Sequence, residues 1–221
     1  MKLAPSKEDI TVATLTTSDR FHVSEELVQT YQGKGAISVA LHVPDDDKKE
    51  EVVHRLAQIR TDYFLLLNVD SYLCVDFRQN LKGYPEMMKR MKDGQVAIVF
   101  PAFKYSPDLL GLVQEKRVDM FHKSRVNGHG STDYTRWYAS KQPYVIVKKE
   151  GAPWSNERFL GYGGNKAACP YEIYLSGIEH WVLPNDFIVH QNHDYLESTR
   201  KVERKLNKIY EIFREEAACE W

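Results

Sequence analysis

The stretch Tyr63–Phe77, YFLLLNVDSYLCVDF, decides how the chain is read. Apolar side chains run almost unbroken to Leu67 and stop at Asn68-Val69-Asp70. A run of this kind predicts a strand buried on both faces, as in the middle of a parallel sheet. In open α/β sheets ligands bind beyond the carboxyl ends of such strands. On an extended chain residues i and i+2 point the same way, which would aim the oxygens of Asn68 and Asp70 at one cation. Carboxylate and amide oxygens suit Mg2+ or Mn2+, ions that typically bridge protein to diphosphate oxygens. The competing reading is a turn, because Asn and Asp cap backbone groups at strand ends.

Upstream, short apolar strands alternate with polar helical stretches, a pattern that predicts βαβ units. ITVATL (10–15) reads as a first strand, followed by a Thr/Ser-rich turn and a helix through Glu25 to Tyr31. GAISVALHVP reads as a second strand, ended by Pro44 and the acidic DDDKKEE. Val52, Val53, Leu56 and Ile59 have the spacing of one apolar helix face. Downstream, the sequence predicts a helix from Leu81 to Lys92, a strand in QVAIVFPAF and a helix near Leu109 to Val118. A strand in PYVIVKK and strands within HWVLPNDFIVHQNH come next. The last predicted element is a helix from about Ser198 to Ala217, with Val202, Leu206, Ile209, Tyr210 and Phe213 on one core-facing stripe.

Two further segments have chemical content. His190 ends the apolar run Phe187–Val189, with His193 three residues on. An imidazole added to Asn and Asp oxygens favours Mn2+ over Mg2+, but only a fold that brings a histidine to Asp70 gives this weight; otherwise His190 is a structural histidine. RFLGYGGNK (158–166) places Gly161, Gly163 and Gly164 within four residues, which permits close approach of a ligand to the main chain. It matches neither a Walker loop nor a dinucleotide fingerprint, and a glycine-rich turn before a helix explains it equally well.

The bulk composition excludes several classes. The 221 residues include 30 Lys and Arg against 31 Asp and Glu, a net charge of −1 that argues against a dedicated nucleic-acid binder. Charge is local instead: from Lys116 to Lys149 eight Lys and Arg stand against two Asp, with His122 and His129 added. That is either a solvated face or an anion-binding patch. Cys74, Cys169 and Cys219 are widely spaced and form no Cys-x-x-Cys pair, so neither a disulfide framework nor a thiolate zinc site is expected. No apolar run approaches the roughly 18 residues of a membrane span. With no signal-peptide core and no Asn-x-Ser/Thr sequon, the chain reads as soluble and cytoplasmic.

In order, VATLTTSDRF, GAISVALHV, YFLLLNVDSYLCVDF, VAIVFPAF, GHGSTDYTRW, PYVIVKK, ERFLGYGGNK, WVLPNDFIVH and LNKIYEIFREE run colinearly over nearly the whole chain. Together they resemble family 49 of the glycosyltransferases, the group of LARGE and beta-1,4-glucuronyltransferase. The resemblance implies a single α/β GT-A domain, a Rossmann-like mixed central sheet flanked by helices. Residues 1 to about 103 would form the nucleotide-binding half, and 104–221 the acceptor-side half with the carboxyl-terminal helix. It implies an inverting, metal-dependent transfer of xylose or glucuronate from a UDP-sugar to a glycan acceptor.

Carried over by position, Asn68, Asp70 and His190 would hold the Mn2+ (or Mg2+). Thr16, Thr17, Asp19 and Arg20 would line the donor nucleotide together with Asp70 and Lys166. Gly163, Gly164 and Asn165 would form the acceptor wall. Inversion needs a general base, for which Asp133 and Glu157 are the candidates, although no motif selects either. The family works in the Golgi lumen behind an anchor, which would be the compartment if an anchor precedes this chain. Three departures stand out. Asn68 replaces the leading Asp of the family's Asp-x-Asp, so a weakened domain that binds nucleotide sugar or glycan without turnover is the alternative. Gly164 replaces an aromatic residue. The Arg/Asn pair usual between the second and third strands has its nearest match in His54 and Arg55.

Overall fold

The computed structural model describes residues 5–17, 21–31, 34–42, 61–74, 76–105, 144–153, 158–159, 165–191 and 197–220. The opening strand, β3 (Tyr63–Asn68), pairs in parallel with β1 (Ile10–Thr17), and β1 pairs in parallel with β2 (Ile37–His42). On its other side β3 meets β7 (Tyr144–Lys148), which runs antiparallel. Beyond β7 lie β5 (Val96–Phe100) and β8 (Glu179–Val182), giving a six-stranded mixed sheet in the order β2-β1-β3-β7-β5-β8. A second sheet of three short strands has the order β4 (Ser71–Leu73), β9 (Ile188–Gln191), β6 (Ala102–Tyr105). The expected mixed α/β architecture is present.

Register decides what each face of the main sheet buries. Val12 lies opposite Leu65, so Ile10 and Val12 share a face with Tyr63, Leu65 and Leu67. That face meets Leu27 and Tyr31, which flank the end of α1 (Phe21–Thr30), and Phe77, Leu81, Met87 and Met91 from α2 (Phe77–Leu81) and α3 (Pro85–Lys92). Phe77 and Phe100 meet edge to face at 5.7 Å between ring centres. On the opposite face Ala97, Val99, Val145 and Val147 pack against Cys169 and Ile173 of α4 (Asn165–Leu175). Outside α4 lies α5 (Glu197–Glu220), whose Phe213 and Ala217 pack with Ala168 and Phe159. Of the predicted stripe, Leu206 and Phe213 are buried and Ile209 and Tyr210 pack against the same cluster as Phe213, so these four face the core.

Three local expectations change. The apolar run of β3 is not buried on both faces: Leu66 is 49% exposed and Phe64 only partly buried. The helix predicted from Leu81 to Lys92 is two helices. Gly83 and Tyr84 separate them, and Pro85, which lacks an N–H, opens the second. The strand read in QVAIVFPAF is also divided, at Pro101, where the chain leaves the main sheet for the second one. Pro101 has no N–H for a ladder, but its carbonyl accepts from Ile188 N at 2.8 Å.

The amino ends of β1 and β2 are tied by one side chain. The Arg78 guanidinium donates to the carbonyls of Ile10, Ala36 and Lys34 at 2.7, 3.0 and 2.9 Å, and it pairs with Asp9 at 3.2 Å. Gly35 lies against it with φ +132°, and a Cβ there would sit 2.4 Å from Arg78 Cζ. No helix among the described residues is long and apolar enough to cross a membrane. The helices predicted at 52–59 and 109–118 and the basic patch up to Lys141 lie outside the described residues.

Candidate functional site

After Asn68 the chain does not stay extended. Val69 and Asp70 form a turn, and β4 starts at Ser71. Asn68 and Asp70 are therefore not aligned by their i, i+2 spacing, which points side chains the same way only along an extended chain. The turn instead delivers Asp70 to the second sheet, where β4 runs antiparallel to β9 and Ser71 lies opposite His190. There His190 Nε2 stands 3.2 Å from Asp70 Oδ1. Both residues are buried, Asp70 at 5% and His190 at 8% exposure. The condition set by the sequence, that the fold bring His190 to Asp70, is met.

The surroundings of this pair are polar and internally bonded. Ser71 Oγ and Tyr144 Oη lie 3.2 Å apart, joining the second sheet to the main sheet next to Asp70 in the chain. Tyr31 Oη donates to the Leu73 carbonyl at 2.5 Å and accepts from Leu73 N at 2.6 Å. Among the described residues β4 is an edge strand, and this phenol supplies the donor and acceptor that a further strand would offer at that rung. Burial raises the Tyr31 phenol to about 12, against the lowering effect of its bond to Leu73, so it is a neutral donor at any physiological pH. Burial also raises the Tyr72 phenol, helped by the carboxylates of Glu26 and Asp70.

At the neighbouring carboxyl end of β1, Thr14 and Thr16 are buried, as is Ser24 of α1. Thr14 Oγ1 and Ser24 Oγ have no hydrogen-bond partner among the described residues. Of the residues expected at the donor nucleotide, Thr16 is placed here and Thr17 ends β1; Asp19 and Arg20 lie outside the described residues. Asn68 closes β3, half-buried on the face of Phe64 and Leu66. Asn165 and Lys166 open α4, so the glycine-rich segment does lead into a helix. Gly163, Gly164, Asp133, Glu157, His54 and Arg55 are outside the described residues.

A divalent ion fits the chemistry of this corner. Two cis donors of an octahedral ion with bonds of about 2.1 Å lie about 3 Å apart, close to the separation of Asp70 Oδ1 and His190 Nε2. Among the described residues no group of three or more His, Cys, Asp or Glu side chains forms a metal cluster. Further ligands would have to come from Asn68, water or phosphate oxygens. Sequence reasoning missed Ser71, Tyr144 and Tyr31, whose contacts span 73 and 42 residues; no short motif could have announced them.

Comparison with known proteins gives this geometry a context. Residues 141–219 match the sequence model of a family described as glycosyl-transferase for dystroglycan. Over 86% of its length the chain is 25% identical to the xylosyl- and glucuronyltransferase LARGE2 of Mus musculus, and it covers 35% of that protein. It is 25% identical to the glycosyltransferase-like protein gnt14 of Dictyostelium discoideum, covering 85% of this chain and 38% of that one. A crystal structure of S. aureus TarS 1-349 superposes with a TM-score of 0.46 at 10% identity, over 83% of this chain and 60% of that one. The chain thus spans about a third of the length of the relatives it matches. Along most of its length the chain is similar in sequence to LARGE-type xylosyl- and glucuronyltransferases, and its carboxyl-terminal third to the glycosyl-transferase family model.

Proposed function

We propose that this domain transfers a sugar of the xylose or glucuronate type from a UDP-sugar to a hydroxyl of a glycan acceptor, with inversion at the anomeric carbon. The observation that supports this best is the buried Asp70–His190 pair, drawn together beyond the carboxyl end of β3 with a spacing suited to one divalent ion. Asp70, His190 and the amide oxygen of Asn68 would hold Mn2+ or Mg2+, which when bound stabilises the negative charge that develops on the departing diphosphate. Thr16 and Thr17 at the end of β1, with Asp19 and Arg20 after it, would line the nucleotide. Lys166 at the start of α4 would add positive charge near the phosphates. Gly163, Gly164 and Asn165 would leave room for the acceptor, and Asp133 or Glu157 would take the proton of the attacking hydroxyl.

The second reading, a domain that binds nucleotide sugar or glycan without turnover, is favoured by one residue. Asn68 has no formal charge where the related motif has a carboxylate, which weakens attraction for a divalent ion. The deciding experiment is a UDP-release screen across UDP-sugars with Mn2+ and with EDTA, on the wild type and on Asp70→Ala and His190→Ala. Mn2+-dependent release that either substitution abolishes is expected. Silence with every donor, together with UDP binding measured by calorimetry, selects the non-catalytic reading. UDP binding unchanged in both variants removes the pair from the site.

A further inference from the structure

The strand that carries His190 is short; β4 and β6 ladder it on either side, and its entry is tied down as well. Between β8 and β9 the segment Pro184–Phe187 crosses α2 and the start of α3. There Asn80 Nδ2 of α2 donates to Asp186 Oδ1 at 2.8 Å, and Asn185 Nδ2 donates to Tyr84 Oη at 2.8 Å. Ile188 N then bonds to the Pro101 carbonyl at 2.8 Å, and His190 follows two residues later. Asp186 is 1% exposed, and its Oδ2 has no hydrogen-bond partner among the described residues. A carboxylate buried on one neutral hydrogen bond is a poor way to stabilise a loop, since an apolar residue of similar volume would do so better. What it offers is direction: the Asn80 amide fixes one oxygen, and with it the loop, at one point on α2.

We propose that Asp186 is a positioning residue for the Asp70–His190 pair, holding the β8–β9 loop on α2 so that β9 presents the His190 imidazole to Asp70 Oδ1. The role concerns metal binding only if the reading of the pair as a cation site holds, whereas the placement of His190 can be measured without metal. Among the described residues Asp186 bonds to Asn80 and to neither member of the pair; it acts through the backbone from residue 186 to residue 190. The tie also explains why an asparagine at an exposed position of a five-residue helix is matched to a buried acid more than a hundred residues away.

The test uses Asp186→Leu, Asn80→Ala and the exchange Asn80→Asp/Asp186→Asn, which keeps the bond with donor and acceptor reversed. Urea unfolding, the imidazole resonances of His190 (assigned with His190→Gln) and Mn2+ affinity from the electron paramagnetic signal of free ion are compared. In Asp186→Leu the unfolding midpoint should stay or rise while the His190 resonances move and Mn2+ binds about tenfold more weakly. Asn80→Ala, which leaves the core intact, should move the same resonances, and the exchange should restore them. His190 resonances at wild-type positions in both Asp186→Leu and Asn80→Ala overturn the proposal, as does failure of the exchange to restore them. If the wild type binds no Mn2+, the cation reading fails alone, and the imidazole resonances still decide the role of Asp186.

Discussion

Replacing Tyr31 by Phe removes one oxygen and leaves the ring in the core, where the residue is 1% exposed. That oxygen bonds both main-chain polar groups of Leu73, at 2.5 and 2.6 Å. Each buried group left without a partner costs about 1–3 kcal/mol. The two together bracket about 2–6 kcal/mol, and water reaching the freed edge of β4 places the expected loss in the lower half of that range, about 3 kcal/mol. With a denaturant slope of about 2–3 kcal/mol per molar, the urea midpoint should fall by about 1 M. Hydrogen exchange should show the Leu73 amide losing its protection. Because the Tyr31 pKa rises from 10 to about 12 on folding, its stabilisation is complete below pH 10 and fades as pH climbs towards 12. The wild type should therefore lose stability over that interval in a way that Tyr31→Phe does not. A midpoint shift below about 0.3 M with the Leu73 amide still protected would refute the edge-capping argument.

Two other outcomes follow from single residues. His180, buried on β8, has its pKa lowered from 6.5 to about 4, chiefly by burial and against a backbone hydrogen bond at Ile178. Its neutral form is favoured in the folded state, so its stabilising effect is full above pH 6.5 and is lost as pH falls towards 4, about 3 kcal/mol in all. His180→Gln should flatten the urea-midpoint profile between pH 7 and 4.5, and superimposable profiles would sink this account. Asn68→Asp adds a carboxylate at the end of β3 and should tighten Mn2+ binding, measured by calorimetry, by tenfold or more. No change would remove Asn68 from the ligand set.

Most of the framework was legible because it depends on local pattern. The apolar run to Leu67, the stripe ending at Phe213 and the strand before His190 each follow from side-chain period and length. Pro101 and Pro85 divide elements that apolar content alone reads as continuous, because hydrophobicity runs on across a residue that lacks an N–H. At the site the sequence supplied Asp70 and His190 but not the reason they meet. The turn at Val69–Asp70 broke the extended-chain argument, and what brought the two together was the pairing of Ser71 with His190, a long-range register that no window contains. Tyr31, Tyr144 and Asp186 were unreadable for the same cause. Their roles are fixed by partners 42, 73 and 106 residues away.

The three strands of the second sheet bear on the order of folding. Residues 71–73, 102–105 and 188–191 come from three distant parts of the chain, and each strand is too short to hold alone. Pro101 joins β6 to β5 with no slack, so this sheet has no register until the main sheet supplies one. Closing such distant loops costs entropy before any contact rewards it. The Asp70–His190 corner should therefore lose hydrogen-exchange protection at a lower denaturant concentration than the main sheet, and simultaneous loss would refute this order. The form such an experiment should populate has a native-like main sheet and an open Asp70–His190 corner.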